Sequence, residues 1–196
     1  PLADYEIKGI VVSRKRYFFD SNGEMEYGWK KYEDNWFYYD PNVKSLVPVV
    51  GLQKIGDDWY YVEDNFAVEA NCLHRIDGIT YYFGKDGKMC KGWVQFGNCW
   101  YFMDREDGTM KTGWISDVDG QMYFLDSSGK MVTGWMKNSE DKWIFLKSSG
   151  AMAIDWAKAG DKWYFFDKEG IMQTGWKQLG GVWYYLDASN GDMATG

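Results

Sequence analysis

One mark recurs along this 196-residue chain every 20 to 22 residues, and nothing else in the sequence restricts the fold so strongly. Gly-x-Met places Met25, Met89, Met110, Met131, Met152, Met172 and Met193, and from Met89 onward the steps are 21, 21, 21, 20 and 21. Stepping back from Met89, the beat lands on Val68, Leu46 and Met25, so the period persists where the motif has decayed. Gly-Trp keeps the same beat at Gly28-Trp29, Gly92-Trp93, Gly113-Trp114, Gly134-Trp135 and Gly175-Trp176, with Asp155-Trp156 a close variant. Gly9-Ile10, Gly51-Leu52 and Cys72-Leu73 fill that slot without Trp. Six to eight residues later comes an aromatic cluster in nine versions: Arg16–Phe19, Trp36–Tyr39, Trp59–Val62, Thr80–Phe83, Trp100–Met103, Met122–Leu125, Trp143–Leu146, Trp163–Phe166 and Trp183–Leu186. Self-similarity at this period marks a repeat architecture, whose units bury their apolar faces only against neighbours. The expected organisation is a single domain over 1–196 with about nine repeats, degenerate near 43–91. It begins at Pro1 with neither an initiator Met nor a signal peptide, so it reads as a piece of a larger protein.

Between the two Trp slots lie turn signals: Gly56-Asp57, Asp77-Gly78, Gly97-Asn98, Asp119-Gly120, Gly160-Asp161 and Gly180-Gly181. Gly, Asn and Asp tolerate positive φ, as two-residue hairpin turns require. The flanking runs are short and rich in Trp, Tyr, Phe and Ile, as strands are. Aromatic runs beside Gly every ten residues break a 3.6-residue period, so helix is excluded. The fold class expected is all-β, a solenoid of about nine stacked β-hairpins. With Gly180-Gly181 as the turn, Trp176 faces Tyr185 and Gln178 faces Trp183. Trp176, Trp183 and Tyr185 then share one face and Tyr184 the other. The repeat at Trp93 puts Trp93, Trp100 and Phe102 together, with Tyr101 opposite. In a stack, each junction should be lined by both Trp of one repeat and the middle aromatic of the next.

Composition now decides what such junctions are for. All 12 Trp fall in the two slots, whereas a core assembled for volume alone would scatter them. Trp is a poor generic filler, because its indole N–H needs a partner, and it offers the best ring face to a cation. Two Trp and a Tyr converging beside a Met thioether make an aromatic cage for a quaternary ammonium, each contact contributing on the order of 0.5–2 kcal/mol. Several weak cages facing a polymer that repeats its ligand bind tightly together. The aromatic content also argues against disorder. Net charge is −7 with the signs interspersed, which argues against nucleic acid. No apolar run approaches the ~20 residues of a membrane-spanning helix. One His leaves no His-based metal cluster, and the three Cys are too few for a disulfide framework. A bond between Cys72 and Cys90 stays open, while one from Cys99 to Cys90 is out of register.

The pattern Gly-Trp-x(6–7)-Trp-Tyr-Tyr-x-Asp-x-x-Gly-x-Met-x-Thr-Gly-Trp, seen best at 92–110, 113–131 and 175–193, resembles the cell-wall-binding repeat of choline-binding proteins. The resemblance implies β-hairpins stacked in a left-handed superhelix. It implies choline or phosphocholine of teichoic acids held between consecutive repeats. It also implies a secreted, wall-associated, non-catalytic module of a Gram-positive bacterium or its phage, without cofactor. Similar repeats occur in glucan-binding regions of streptococcal glucosyltransferases and in receptor-binding repeats of clostridial toxins, so polysaccharide and receptor binding stand as alternatives.

Carried over residue by residue, complete sets are Trp29 and Trp36 with Tyr60; Trp93 and Trp100 with Tyr123; Trp135 and Trp143 with Tyr164; and Trp156 and Trp163 with Tyr184. Met110, Met152 and Met172 are assigned as thioether neighbours of the later sets. Trp176 and Trp183 form a further pair awaiting a following repeat. The junction after Trp114 departs from the pattern through Met122 and Ile144. Leu52, Leu73 and Thr80 leave 52–82 as scaffold or interaction surface, and Ile10 and Arg16 leave the first repeat without either Trp. A protein-interaction surface would sit in the divergent stretch 43–75, with its aliphatic run 46–50. As for catalysis, the carboxylates recur in register (Asp20, Asp40, Asp104, Asp126, Asp167, Asp187), as loop residues do and a catalytic pair does not. His74 reads as a partly exposed residue of a decayed repeat.

Overall fold

The computed structural model describes residues 10–12, 15–42 and 50–195. Gly9, Leu46 and most of the 46–50 run lie outside the described residues. The chain divides into two compact units: residues up to Phe96 with Met103–Met110, and Gly97–Phe102 with the residues from Lys111 onward. The first unit holds β1 (Ile10–Val12), β2 (Lys15–Tyr17), β3 (Gly28–Tyr32), β4 (Asn35–Tyr39), β5 (Gly51–Ile55), β6 (Asp58–Val62), β7 (Ala67–Val68), β8 (Cys72–Ile76), β9 (Ile79–Phe83) and β10 (Gly92–Phe96). After β11 (Cys99–Met103), the second unit continues with β12 (Gly113–Ser116), β13 (Met122–Leu125), β14 (Gly134–Lys137), β15 (Trp143–Leu146), β16 (Asp155–Ala159), β17 (Lys162–Phe166), β18 (Gly175–Leu179) and β19 (Val182–Leu186). No helix occurs among the described residues, and the fold class is all-β, built of repeated hairpins.

Within the units, successive strands pair antiparallel in the expected register. Trp176 stands opposite Tyr185, Gln178 opposite Trp183 and Leu179 opposite Val182. Two-residue turns close the strands at 56–57, 77–78, 160–161 and 180–181, with φ of 65° at Gly56, 61° at Gly160 and 57° at Gly180. Asp119-Gly120 differs from expectation. Ser116 pairs with Met122, so residues 117–121 form a wider loop in which the Asp117 N–H donates to the Gln121 carbonyl at 3.0 Å. The slots here are eight residues apart rather than seven. The pairing of Trp114 with Phe124 is kept, so the extra residue is expelled into the turn. The β14–β15 hairpin does the same, with Trp135 opposite Phe145 and Lys137 opposite Trp143.

In each unit the core is built from the last position of the aromatic cluster. Tyr39, Val62, Phe83, Met103, Leu125, Leu146, Phe166 and Leu186 are all essentially inaccessible to solvent. From Val62 onward these residues bridge by backbone to the loop that follows, as in Phe83 to Met89, Leu146 to Met152 and Phe166 to Met172. From Met89 onward each loop then docks on the hairpin of the repeat before its own. The N–H of Met89 donates to the Trp59 carbonyl, Met131 to Trp100, Met172 to Trp143 and Met193 to Trp163, each at 2.8 Å. Where Val68 replaces Met, the bridge extends to a short strand. There β7 pairs with both β4 and β6, which makes one five-stranded sheet, β3-β4-β7-β6-β5. Burial removes apolar surface from water at roughly 25 cal/mol per Å², and the stack supplies it to hairpins that are marginal alone.

The Gly of Gly-x-Met has a steric reason. A Cβ on Gly170 would lie 2.5 Å from the sulfur of Met152, the Met of the preceding loop, and Gly170 has a φ of +76°. Gly175 has nearly the same φ, +74°, with open space around it. Gly175→Ala should therefore cost only the left-handed backbone strain, about 1–2 kcal/mol. Gly170→Ala should cost about 1–3 kcal/mol more through overpacking. Urea unfolding would measure both, and Met152→Ala should recover the difference in the Gly170→Ala background but not in the Gly175→Ala background.

The carboxylates that recur after the aromatic cluster are loop brackets. Asp126 Oδ1 accepts from the Ser128 and Lys130 N–H groups at 2.8 and 3.0 Å, and Asp187 Oδ1 accepts from Ser189 and Asn190. The Ser128 and Ser189 hydroxyls, foremost, hold these two carboxyls below the usual carboxylate range.

Candidate functional site

Because side chains two apart on a strand share a face, the register collects Trp29, Lys31, Trp36 and Tyr38 on one side of the β3–β4 hairpin. The Trp29 and Trp36 rings lie 6.2 Å apart and nearly perpendicular, at 86°. Tyr38 is 5.0 Å from Trp29, and from the next hairpin Tyr60 reaches within 4.9 Å of the same ring. Burial, foremost, raises the Tyr60 hydroxyl above its ordinary range, so the ring is a neutral phenol at neutral pH.

The second unit repeats this geometry. Trp135 and Trp143 are 6.3 Å apart at 88°, with Phe145 at 4.9 Å and Tyr164 of the next hairpin at 4.7 Å from Trp135. Trp156 has Phe165 at 5.3 Å and Tyr184 at 5.0 Å, and Trp163 shares their face by register.

None of the 12 Trp belongs to the buried core. Trp29, Trp36, Trp135 and Trp143 are 37 to 44% exposed, although they contact other rings. Repeated half-open aromatic faces are what a binding surface presents. Two perpendicular indoles and a phenol give converging negative ring faces, which attract a cation that has little hydration to lose.

The other residues singled out from the sequence are placed less uniformly. Trp93 is on β10 in the first unit, and Trp100 and Tyr123 are on β11 and β13 in the second. Trp176 and Trp183 are 6.5 Å apart at 78°, with Tyr185 at 5.1 Å, and are 65% and 60% exposed. Met110, Met152 and Met172 sit in the loops and donate their backbone N–H groups to the carbonyls of Thr80, Met122 and Trp143. The thioethers of Met152 and Met172 lie on Gly170 and Gly191 of the following loops. At the departing junction Trp114 contacts Phe124 at 5.1 Å, and Ile144 is buried. Arg16 lays its guanidinium over Tyr32, 3.6 Å from the ring centre. Tyr38, Phe145 and Phe165 were not assigned to a site from the sequence, although the register that pairs Trp176 with Tyr185 identifies them.

In the decayed repeats polar groups replace the cage. His74 stacks on Tyr61 at 4.1 Å, and its Nδ1 is 3.4 Å from Glu69. The Cys72 thiol donates to Glu69 at 3.0 Å and is pushed up to about 12, by burial first and Glu69 second. All three Cys are free, so Cys72 and Cys90 are not bonded. The hydrogen bond to Glu69, with burial and the Glu69 charge behind it, pushes Glu63 up to about 7. Among the described residues no group of three or more His, Cys, Asp or Glu could hold a metal ion.

Folded Glu63 keeps its proton up to about pH 7, whereas the unfolded group loses it near 4.5. Its stabilising contribution is therefore complete below pH 4.5 and lost as pH rises through 7. Amide exchange at Glu69, whose N–H donates to the Tyr61 carbonyl at 2.9 Å, should lose protection between about pH 4.5 and 7 beyond the intrinsic rate change. Glu63→Gln should flatten that dependence.

Fold and half-exposed ring clusters together define a repeat-built binding module. The choline-binding repeat family matches residues 70–114, 111–155 and 153–196, and a cell wall binding repeat family matches residues 50–65. The chain belongs to the choline-binding repeat family. Choline-binding protein F of Streptococcus pneumoniae is similar in structure, with a TM-score of 0.73 and 29% identity over 92% of this chain and 61% of that one. CbpJ of Streptococcus pneumoniae TIGR4 is similar at a TM-score of 0.59 and 27% identity, over 96% of this chain and 80% of CbpJ. Glucosyltransferase-S of Streptococcus mutans is 34% identical over 93 residues, which make up 45% of this chain and 5% of that enzyme. The chain thus spans less than two thirds of choline-binding protein F and a small part of the glucosyltransferase.

Proposed function

We propose that this chain is a wall-attachment module that seats the choline of teichoic acid phosphocholine in its aromatic cages, on the outer surface of a Gram-positive cell. The observation that carries the reading is the perpendicular Trp pair closed by a Tyr of the next hairpin, found at Trp29, Trp36 and Tyr60 and again at Trp135, Trp143 and Tyr164. Choline-binding protein F has been crystallised in the presence of a tetrasaccharide-pentapeptide analogue of peptidoglycan, which fits a wall-directed role for this chain too. Each cage is weak, and the repeat multiplies it along a polymeric ligand. On this reading the module itself is non-catalytic, and any catalysis would reside in another domain of a longer protein.

The similarity to glucosyltransferase-S supports a second reading, in which the same rings stack on sugar. One experiment separates the two. The module should be retained on a tertiary-amine resin and released by choline, with equilibrium dialysis counting about four cages that act together. Retention on dextran with no choline release would establish the second reading, and a count near eight, or of none, would overturn the first.

A further inference from the structure

The cage face carries one side chain that aromatic recognition does not require. Opposite the second Trp of three sets stands a lysine: Lys31 opposite Trp36, Lys137 opposite Trp143 and Lys158 opposite Trp163. The Lys31 ammonium lies 5.8 Å from the Trp36 ring centre, and that of Lys137 lies 5.2 Å from the Trp143 ring centre. The equivalent position is Ser116 opposite Met122 and Gln178 opposite Trp183, where no ring of a following hairpin closes the group among the described residues, and Gln95 takes this place in the repeat of Trp93, which should therefore lack the preference. Lys54 opposite Trp59 and Arg75 opposite Thr80 continue the cationic position through the decayed repeats.

A ligand that is only a cation gains nothing from this neighbour. Its ammonium would sit against the Trp rings a few ångströms from a second positive charge, and like charges at that range repel. A ligand with an anionic group next to its quaternary ammonium reverses the sign. The ammonium enters the rings, and the anion meets the lysine at the rim. A phosphate monoester or diester satisfies this with charge-assisted hydrogen bonds to a compact, rotatable ammonium.

We propose that Lys31, Lys137 and Lys158 are specificity-determining residues that make these cages select zwitterionic choline phosphoesters over free choline. The inference rests on the cage reading given above. Lys137 also bonds Asp141 at 2.7 Å, which matches part of its charge, so its contribution is smaller than it would be without that partner.

Titration calorimetry of the whole chain with choline and with phosphocholine, at low and high salt, tests this. The unmodified protein should bind phosphocholine about two- to fivefold more tightly, the range of an exposed ion pair. The preference should shrink as salt rises. The triple variant K31Q/K137Q/K158Q should bring the ratio close to one, chiefly by weakening phosphocholine, and should bind choline more tightly. The matched triple K31R/K137R/K158R should keep the preference. Equal affinities in the unmodified protein, or a preference that the glutamine triple retains, would overturn the proposal while leaving the cages intact. Failure to bind either ligand would instead overturn the cage reading on which it rests.

Discussion

Replacing Trp135 with alanine is expected to remove one binding site and lower the choline stoichiometry of the module by one. Trp135 is the hub of its set, in contact with Trp143, Phe145 and Tyr164 at 6.3, 4.9 and 4.7 Å. A Trp face contributes on the order of 0.5–2 kcal/mol to a seated cation. Deleting the hub also frees the other rings to turn away, so affinity at that cage should fall at least about tenfold. Calorimetric stoichiometry would read the loss. Trp176→Ala is the internal control. Its ring pairs with Trp183, and no third ring from a following hairpin joins them among the described residues. That variant should leave the count unchanged. Equal loss in both variants would mean that a Trp pair suffices without the Tyr of the next hairpin.

The largest loss of stability is expected from Phe166→Ala. Phe166 is fully buried, packs with Ala153, Ala157 and Met172, and lies 5.8 Å from Trp135. Truncating such a ring typically costs about 3–5 kcal/mol, transfer and cavity terms together. The urea midpoint should fall accordingly, with choline binding at the Trp135 cage weakened as its support loosens. Trp163→Ala makes the opposite pair of changes. Trp163 is 44% exposed, so its removal should cost little stability while impairing the cage it shares with Trp156 and Tyr184. If Trp163→Ala unfolded the protein as readily as Phe166→Ala, the separation of a buried core from a ligand-facing surface would be wrong.

That separation was only half legible in the sequence. Periodicity and turn chemistry revealed the hairpins, and alternation gave the register by which Trp176 faces Tyr185. The same alternation gave the three-ring convergence at Trp29 and Trp135, because it follows from which residues share a face. The wider turn at 117–121 was not legible. Asp119-Gly120 looks like any two-residue turn until the pairing of Trp114 with Phe124 is held constant and the extra residue must go somewhere. Met was read from its chemistry as a cage neighbour. Its backbone bond to the preceding hairpin and its packing on the next loop's Gly depend on three-dimensional neighbours that no local pattern encodes. The polar network at Glu63, Glu69 and His74 was hidden for the same reason, since it joins residues of a loop and the following strand in repeats whose motif has faded.

The docking bond from a loop Met to the hairpin of the preceding repeat has a consequence for how such chains change over generations. The bond is made by backbone atoms, so it forms whether the acceptor residue is Trp143, Thr80 or Met122. A duplication or deletion of one whole period therefore presents every remaining junction with the partner it already had, as in any array held by nearest-neighbour contacts. A one-residue insertion is absorbed in the hairpin tips or in the Gly-x-Met loops, where Met103 and Leu186 bridge to a Met one residue further on than Phe83 and Phe166 do. The gene can thus gain or lose binding capacity in single countable steps, and single repeats can drift, as those around Leu52 and Leu73 have, without taking their neighbours with them.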